Sequence, residues 1–175
     1  RGGIRMPRMS RETAILLLGD QLSWGHPALQ QADPETTVVI LAEVREEAIY
    51  VRHNRHKIAL LFSAMRHFAE ALEESGYQVA YYLYEESLPS LLVACELAKE
   101  QFRYERLLIC EPGEYRLLEQ MQGWSNILGV PVELLEDTRF LAARQDFSDW
   151  ASGRKQLRME YFYRDMRKRY GLLMD

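Results

Sequence analysis

Titratable side chains crowd one stretch of this 175-residue chain: "EVREEAIYVRHNRHK", residues 43 to 57, carries Glu43, Glu47, Tyr50, His53, His56 and Lys57. A glutamate and a histidine this close could exchange protons with a substrate, or share a metal ion. The spacing disfavours the metal, because His53 and His56 stand three apart and no Glu-x-x-His or His-x-x-x-His arrangement completes a shell. A second acidic position is Asp20 in "LGDQLS". A short carboxylate there can accept hydrogen bonds from ligand hydroxyls or a ring N–H, and it can equally cap a turn or helix. The third cluster is "EPGEYR", residues 111 to 116, where Glu114 suits the first turn of a helix and capping is the simpler use. His56, Lys57 and His67 face away from the apolar side of a helix and read as solvated surface. His53 falls near that helix's start, where backbone N–H groups point outward.

What positions these groups is a regular alternation of elements. Five apolar runs, "TAILLL" (13 to 18), "TVVILA" (37 to 42), "QVAYYLY" (78 to 84), "RLLIC" (106 to 110) and "VELL" (132 to 135), are continuous and not alternating, the pattern of strands covered on both faces. Ile58, Leu61, Phe62, Met65, Phe68, Ala69 and Leu72 recur at steps of three and four and build one helix face, which Gly76 closes. Ser87 and Pro89 predict the start of the next helix, and a third is expected from about 114 to 128. The first crossover, from 18 to 38, holds only "PALQQA" as a short helical candidate. Strand and helix in this order imply a Rossmann-like α/β fold: an open five-stranded parallel sheet with helices on both faces, followed by C-terminal helices split near Ser152 and Gly153. The three polar clusters then fall at carboxyl ends of strands, where such sheets bind ligands.

Composition narrows the function classes. Hydrophobic residues make up 47% of the chain and charged residues 27%, as in an ordinary globular domain. No apolar run reaches the roughly 20 residues that a membrane helix needs, so no membrane partner is expected. "RGGIRMPRMSRET" is basic without the apolar core of a secretion signal, so residues 1–12 are expected to be a disordered extension and the compartment the cytoplasm. Cys95 and Cys110 have no C-x-x-C partner and read as buried fillers. The net charge of −4 disfavours a strong nucleic-acid binder, although Arg154, Lys155, Arg158, Arg164, Arg167, Lys168 and Arg169 make the C-terminal end locally basic. There is no G-x-G-x-x-G, G-x-x-x-x-G-K-[ST] or G-x-S-x-G, so phosphate cradles and a nucleophile elbow are unsupported.

"LGDQLS", "EVREEAIYVRHNRHKIALLFSAMRHFAEAL", "EPGEYR", "DTRF" and "GRKQLRMEYFYRDMRKRYGLLM" together resemble the N-terminal part of the bacterial photolyase-related proteins, the iron-sulphur cryptochromes and photolyases, from about Thr13 to Asp175. The resemblance implies an antenna domain over 13–150 that can hold 6,7-dimethyl-8-ribityllumazine, and a basic helical segment over 151–175. That segment would lead to a helical C-terminal domain, absent from this sequence, which holds FAD and a four-iron cluster and acts on damaged DNA. Residue by residue, the family's lumazine pocket carries over to Asp20, Glu47 and His53, with Glu43, Tyr50, Lys57 and Leu61 as its neighbours. "HNRHK" departs from the family's lysine-rich helix opening, which leaves Asn54, Arg55 and His56 without an assigned contact. On this reading the 175 residues alone are inactive as an enzyme and catalytic residues are none. Two other readings remain open at the level of sequence: an interaction module of the same fold without chromophore, docking a protein or nucleic acid through the basic helix, and a small-molecule enzyme using Glu47 and His53.

Overall fold

The computed structural model describes residues 10–44 and 55–173. Strands β1 (Thr13–Leu16), β2 (Thr37–Ala42), β3 (Gln78–Tyr82), β4 (Arg106–Cys110) and β5 (Val132–Leu135) form one parallel sheet in the order β3-β2-β1-β4-β5. Every residue of β1 and β2 is buried, which is why these central runs lack polar alternation.

Successive side chains of the strands feed two separate cores. Ile15, Leu17, Val39, Leu41 and Leu108 pack against α1 (Pro27–Gln30) and α2 (Arg55–Glu74) through Ala28, Leu29, Met65, Ala69 and Leu72. On the other side, Ala14, Leu16, Val38, Ile40, Leu107 and Ile109 meet α3 (Leu91–Phe102), α4 (Tyr115–Met121) and α5 (Trp124–Leu128). The sheet is therefore doubly wound. Chain order reverses between β1 and β4, because β2 and β3 lie to one side of β1 and β4 and β5 to the other. Cys95 and Cys110 are free and buried, and burial pushes the Cys95 thiol up, so it is an inert core filler.

Several helix ends differ from expectation for local reasons. The helix expected to start at Ser87 begins at Leu91 instead. Ser87 ends a 3-10 turn over Tyr84–Glu86 with φ of 56°, and Ser90 is the true cap, its Oγ accepting from the Val93 N–H at 3.4 Å. The single helix expected over 114–128 is two, α4 and α5, parted at Gly123, a residue costing about 1 kcal/mol in a helix interior. Gly76 closes α2 as expected: its φ is 91°, and the Tyr77 N–H reaches back to the Leu72 carbonyl at 3.0 Å. Ahead of β1, the Arg11 and Glu12 N–H groups already donate to Phe102 and Thr36 carbonyls at 3.0 Å.

The chain divides into two compact units, Arg1–Leu135 and Glu136–Asp175. The first holds the whole sheet. The second contains α6 (Arg144–Ala151), inside which the expected boundary at 150 falls, and α7 (Met159–Tyr170). Here Phe162 is buried with ring centroids of Phe147 and Trp150 each 5.2 Å away, and the Trp150 Nε1–H donates to Asp165 at 3.0 Å. Among the described residues no helix is long and apolar enough to cross a membrane.

Candidate functional site

The carboxyl ends of β1, β2 and β4 run into Asp20, Glu43 and Glu111, three of the polar groups that the sequence singled out. After β1 the buried run continues through Leu18, and the Gln21 N–H then closes a turn onto the Leu18 carbonyl at 2.9 Å, leaving Asp20 exposed at its tip. This turn lies directly on α2. A Cβ at Gly19 would stand 3.1 Å from the Met65 sulfur and 3.2 and 3.3 Å from the two Leu61 methyls, so a side chain there would require these neighbours to give by a few tenths of an ångström. Asp20 and Leu61, assigned to one pocket by resemblance, thus share one corner.

Gln21 ties this corner to the reversal point of the sheet. Only 2% exposed, it donates through Nε2 to the Glu111 carbonyl at 3.1 Å and, more weakly, to that of Cys110 at 3.4 Å. Those contacts turn the N–H edge of the amide toward β4. Its Oε1 is buried without a hydrogen-bond partner among the described residues, an acceptor that costs about 1–3 kcal/mol while unsatisfied.

Glu43, at the end of β2, is a closed carboxylate. Its side chain is fully buried, and four donors fill its acceptor sites: Arg66 Nε at 2.6 Å, Arg66 Nη2 at 2.8 Å, the Tyr81 hydroxyl at 2.6 Å and the Tyr84 N–H at 3.0 Å. Burial alone would raise its pKa. The hydrogen bonds from Arg66, Tyr81 and Tyr84, with the Arg66 charge, outweigh that and hold the carboxyl below the ordinary carboxylate range. Burial and the same carboxylate push the Tyr81 phenol up, so it stays a donor. Glu43 serves this corner by locking β2, β3 and α2 together, with its lone pairs spent inside the protein.

An apolar wall stands over the same end of the sheet. In the first half of α2, Ile58, Leu61 and Phe62 are only partly buried, whereas Met65, Ala69 and Leu72 further on are buried. Phe62 leans on Tyr84 with ring centroids 5.7 Å apart, and Trp24, 46% exposed, leans on Phe68 at 5.3 Å. Lys57 is exposed in the first turn of the helix. Glu47, Tyr50 and His53 lie outside the described residues. No local pattern marks the roles of Gln21, Arg66 and Tyr81: Arg66 is separated from Glu43 by 23 positions, and only the fold brings them into contact.

Asp20 offers an exposed acceptor and Ile58, Leu61 and Phe62 offer partly exposed apolar surface, the kinds of group that a neutral heteroaromatic ring with a hydroxylated side chain needs. A four-thiolate iron cluster does not fit this chain, which has only two cysteines, both buried, one in α3 and one in β4.

Residues 15–175 match the family model of the deoxyribodipyrimidine photo-lyase-related protein. A (6-4) photolyase of Agrobacterium fabrum (strain C58 / ATCC 33970) is 43% identical over 163 residues, which are 92% of this chain and 32% of that protein. The chain thus spans about a third of this relative's length. A mimivirus protein, uncharacterized protein R852 of Acanthamoeba polyphaga mimivirus, is 25% identical over 154 residues, 82% of this chain and 76% of its own. With its doubly wound sheet and a family match running almost from end to end, the chain belongs to the deoxyribodipyrimidine photolyase-related protein family.

Proposed function

We propose that this chain is the light-harvesting part of a photolyase or cryptochrome-type flavoprotein and holds 6,7-dimethyl-8-ribityllumazine at the carboxyl ends of β1 and β2. The observation that carries this reading is the corner where the Gly19–Asp20 turn lies against Leu61: an exposed acceptor and a half-exposed apolar wall on one side of the sheet. The similarity to a (6-4) photolyase supports it at the level of the whole protein.

When bound, the lumazine supplies blue-light absorption and hands its excitation to a flavin. What the chain must do is bind and orient. Asp20 accepts hydrogen bonds from ribityl hydroxyls, Ile58, Leu61 and Phe62 flank the ring, and the Glu43–Arg66–Tyr81 lock keeps α2 at a fixed distance from β2. No proton transfer is asked of these residues. Glu47 and His53 complete the ligand set by resemblance. FAD, an iron cluster and a DNA lesion belong to the remainder of the longer proteins, which act in light-driven repair or in blue-light signalling.

Reconstitution tests the reading. The chain is mixed with excess lumazine, passed through gel filtration and scanned in the visible. About one chromophore per chain is expected to co-elute, and a colourless protein peak removes the antenna role.

A further inference from the structure

A second hollow lies on the opposite face of the sheet, against α3, α4 and α5. It encloses about 320 Å³ and is walled by Leu92, Leu117, Trp124 and Ile127, with Arg116 and Gln120 as its main polar groups. The size sits at the lower end of small-molecule pockets, which combine apolar walls with a few polar groups in this way. Trp124 is 4% exposed and Leu117 7%, so these walls are set by the core, whereas Ile127, 56% exposed, forms an open lip.

The charge of the hollow selects its ligand. Arg116 is the one charged side chain among the residues that line it. Glu114 stands 3.7 Å from its Nη2, beyond hydrogen-bond distance, and a guanidinium carries five N–H donors, so engagement along one edge does not prevent an oxyanion from binding along another. Indole and aliphatic walls favour a flat ring, and Gln120 can add an amide N–H at the mouth. We propose that this hollow is a binding site for a small aromatic monoanion, with the ring between Trp124 and Leu92 and the anionic group on Arg116. The site is separate from the antenna corner and does not depend on it. Since α3 and α5 wall it from different elements, an occupant would also brace the break at Gly123.

The test uses anilinonaphthalene sulfonate, an aromatic monoanion that fluoresces when taken out of water, and phenylnaphthylamine, its uncharged counterpart. The full chain carrying W24F and W150F keeps Trp124 as its only indole. The sulfonate is expected to bind saturably at one site and to quench Trp124 emission by energy transfer. Arg116→Gln is expected to weaken the sulfonate about tenfold while leaving the uncharged probe within about twofold, as a charge-assisted contact requires. Ile127→Glu, at the exposed lip, should weaken both. Circular dichroism confirms that both surface variants fold. No saturable binding, or sulfonate binding that neither variant changes, overturns the site; equal weakening of both probes by Arg116→Gln overturns its preference for an anion.

Discussion

At the scale of single residues, the surroundings of each group fix what it can do. Asp20 is an exposed acceptor, so Asp20→Ala should leave stability within about 0.5 kcal/mol of wild type while costing roughly tenfold in lumazine affinity, as expected for loss of a charged hydrogen-bond acceptor. Gly19→Ala tests the close approach to α2. The new methyl would press on the Leu61 methyls and the Met65 sulfur, ends of flexible side chains that can yield. A stability loss of about 1 kcal/mol is expected by thermal unfolding, together with a larger relative loss of lumazine binding because Leu61 is displaced. Glu43 makes a prediction in pH. Its folded-state pKa is depressed, so its contribution is fully present above the unfolded value of about 4.3 and fades as pH falls through the folded value. Stability measured by urea melts from pH 7 down to pH 3 should drop below about pH 4.5, and Glu43→Gln should flatten that drop. Arg66→Met leaves the buried carboxylate short of two donors. It should lower stability in urea melts at pH 7, by less than breaking a fully buried pair would, because Arg66 is half exposed.

At the scale of elements, sequence and structure agree where a local pattern decides and part where contacts decide. β2, β4 and β5 have the expected limits, since a continuous apolar run bounded by polar residues has little choice. The start of α3 moved from Ser87 to Leu91 because two serines were available and backbone geometry chose between them: Ser87 adopts φ of 56°, which no helix start uses. The stripe on α2 was legible, but not that its first half stays partly uncovered while Met65, Ala69 and Leu72 fill the core. The exposed turn at Asp20 and the apolar face of Leu61 could be read from sequence; the Glu43–Arg66 pair could not, because no periodicity links positions on different elements. The basic charge of α7 was equally plain, yet much of it is spent locally. Arg169 pairs with Asp146 at 2.6 Å and Arg164 with Glu160 at 2.9 Å, while Arg167 donates to the Leu172 and Leu173 carbonyls that follow the helix. Binding of this chain to duplex DNA should therefore be weak, with a log–log salt slope no steeper than about −2; a slope near −5 would favour the helix as a nucleic-acid dock.

At the scale of the molecule, the doubly wound order sets the end of β1 between those of β2 and β4, and that topology brings residues far apart in sequence to one edge of the sheet. All five strands and both cores lie before Glu136. The corner and the hollow occupy opposite faces of one sheet, which allows their ligands to be told apart by mutation. The most direct measurement is a fluorescence-polarisation titration of 6,7-dimethyl-8-ribityllumazine against the wild-type chain, Asp20→Ala and Arg116→Gln. Saturable one-to-one binding that Asp20→Ala weakens about tenfold and Arg116→Gln leaves unchanged is the result expected. Absence of binding to the wild-type chain, or binding lost in Arg116→Gln and kept in Asp20→Ala, would contradict a chromophore seated at the Gly19–Asp20 turn.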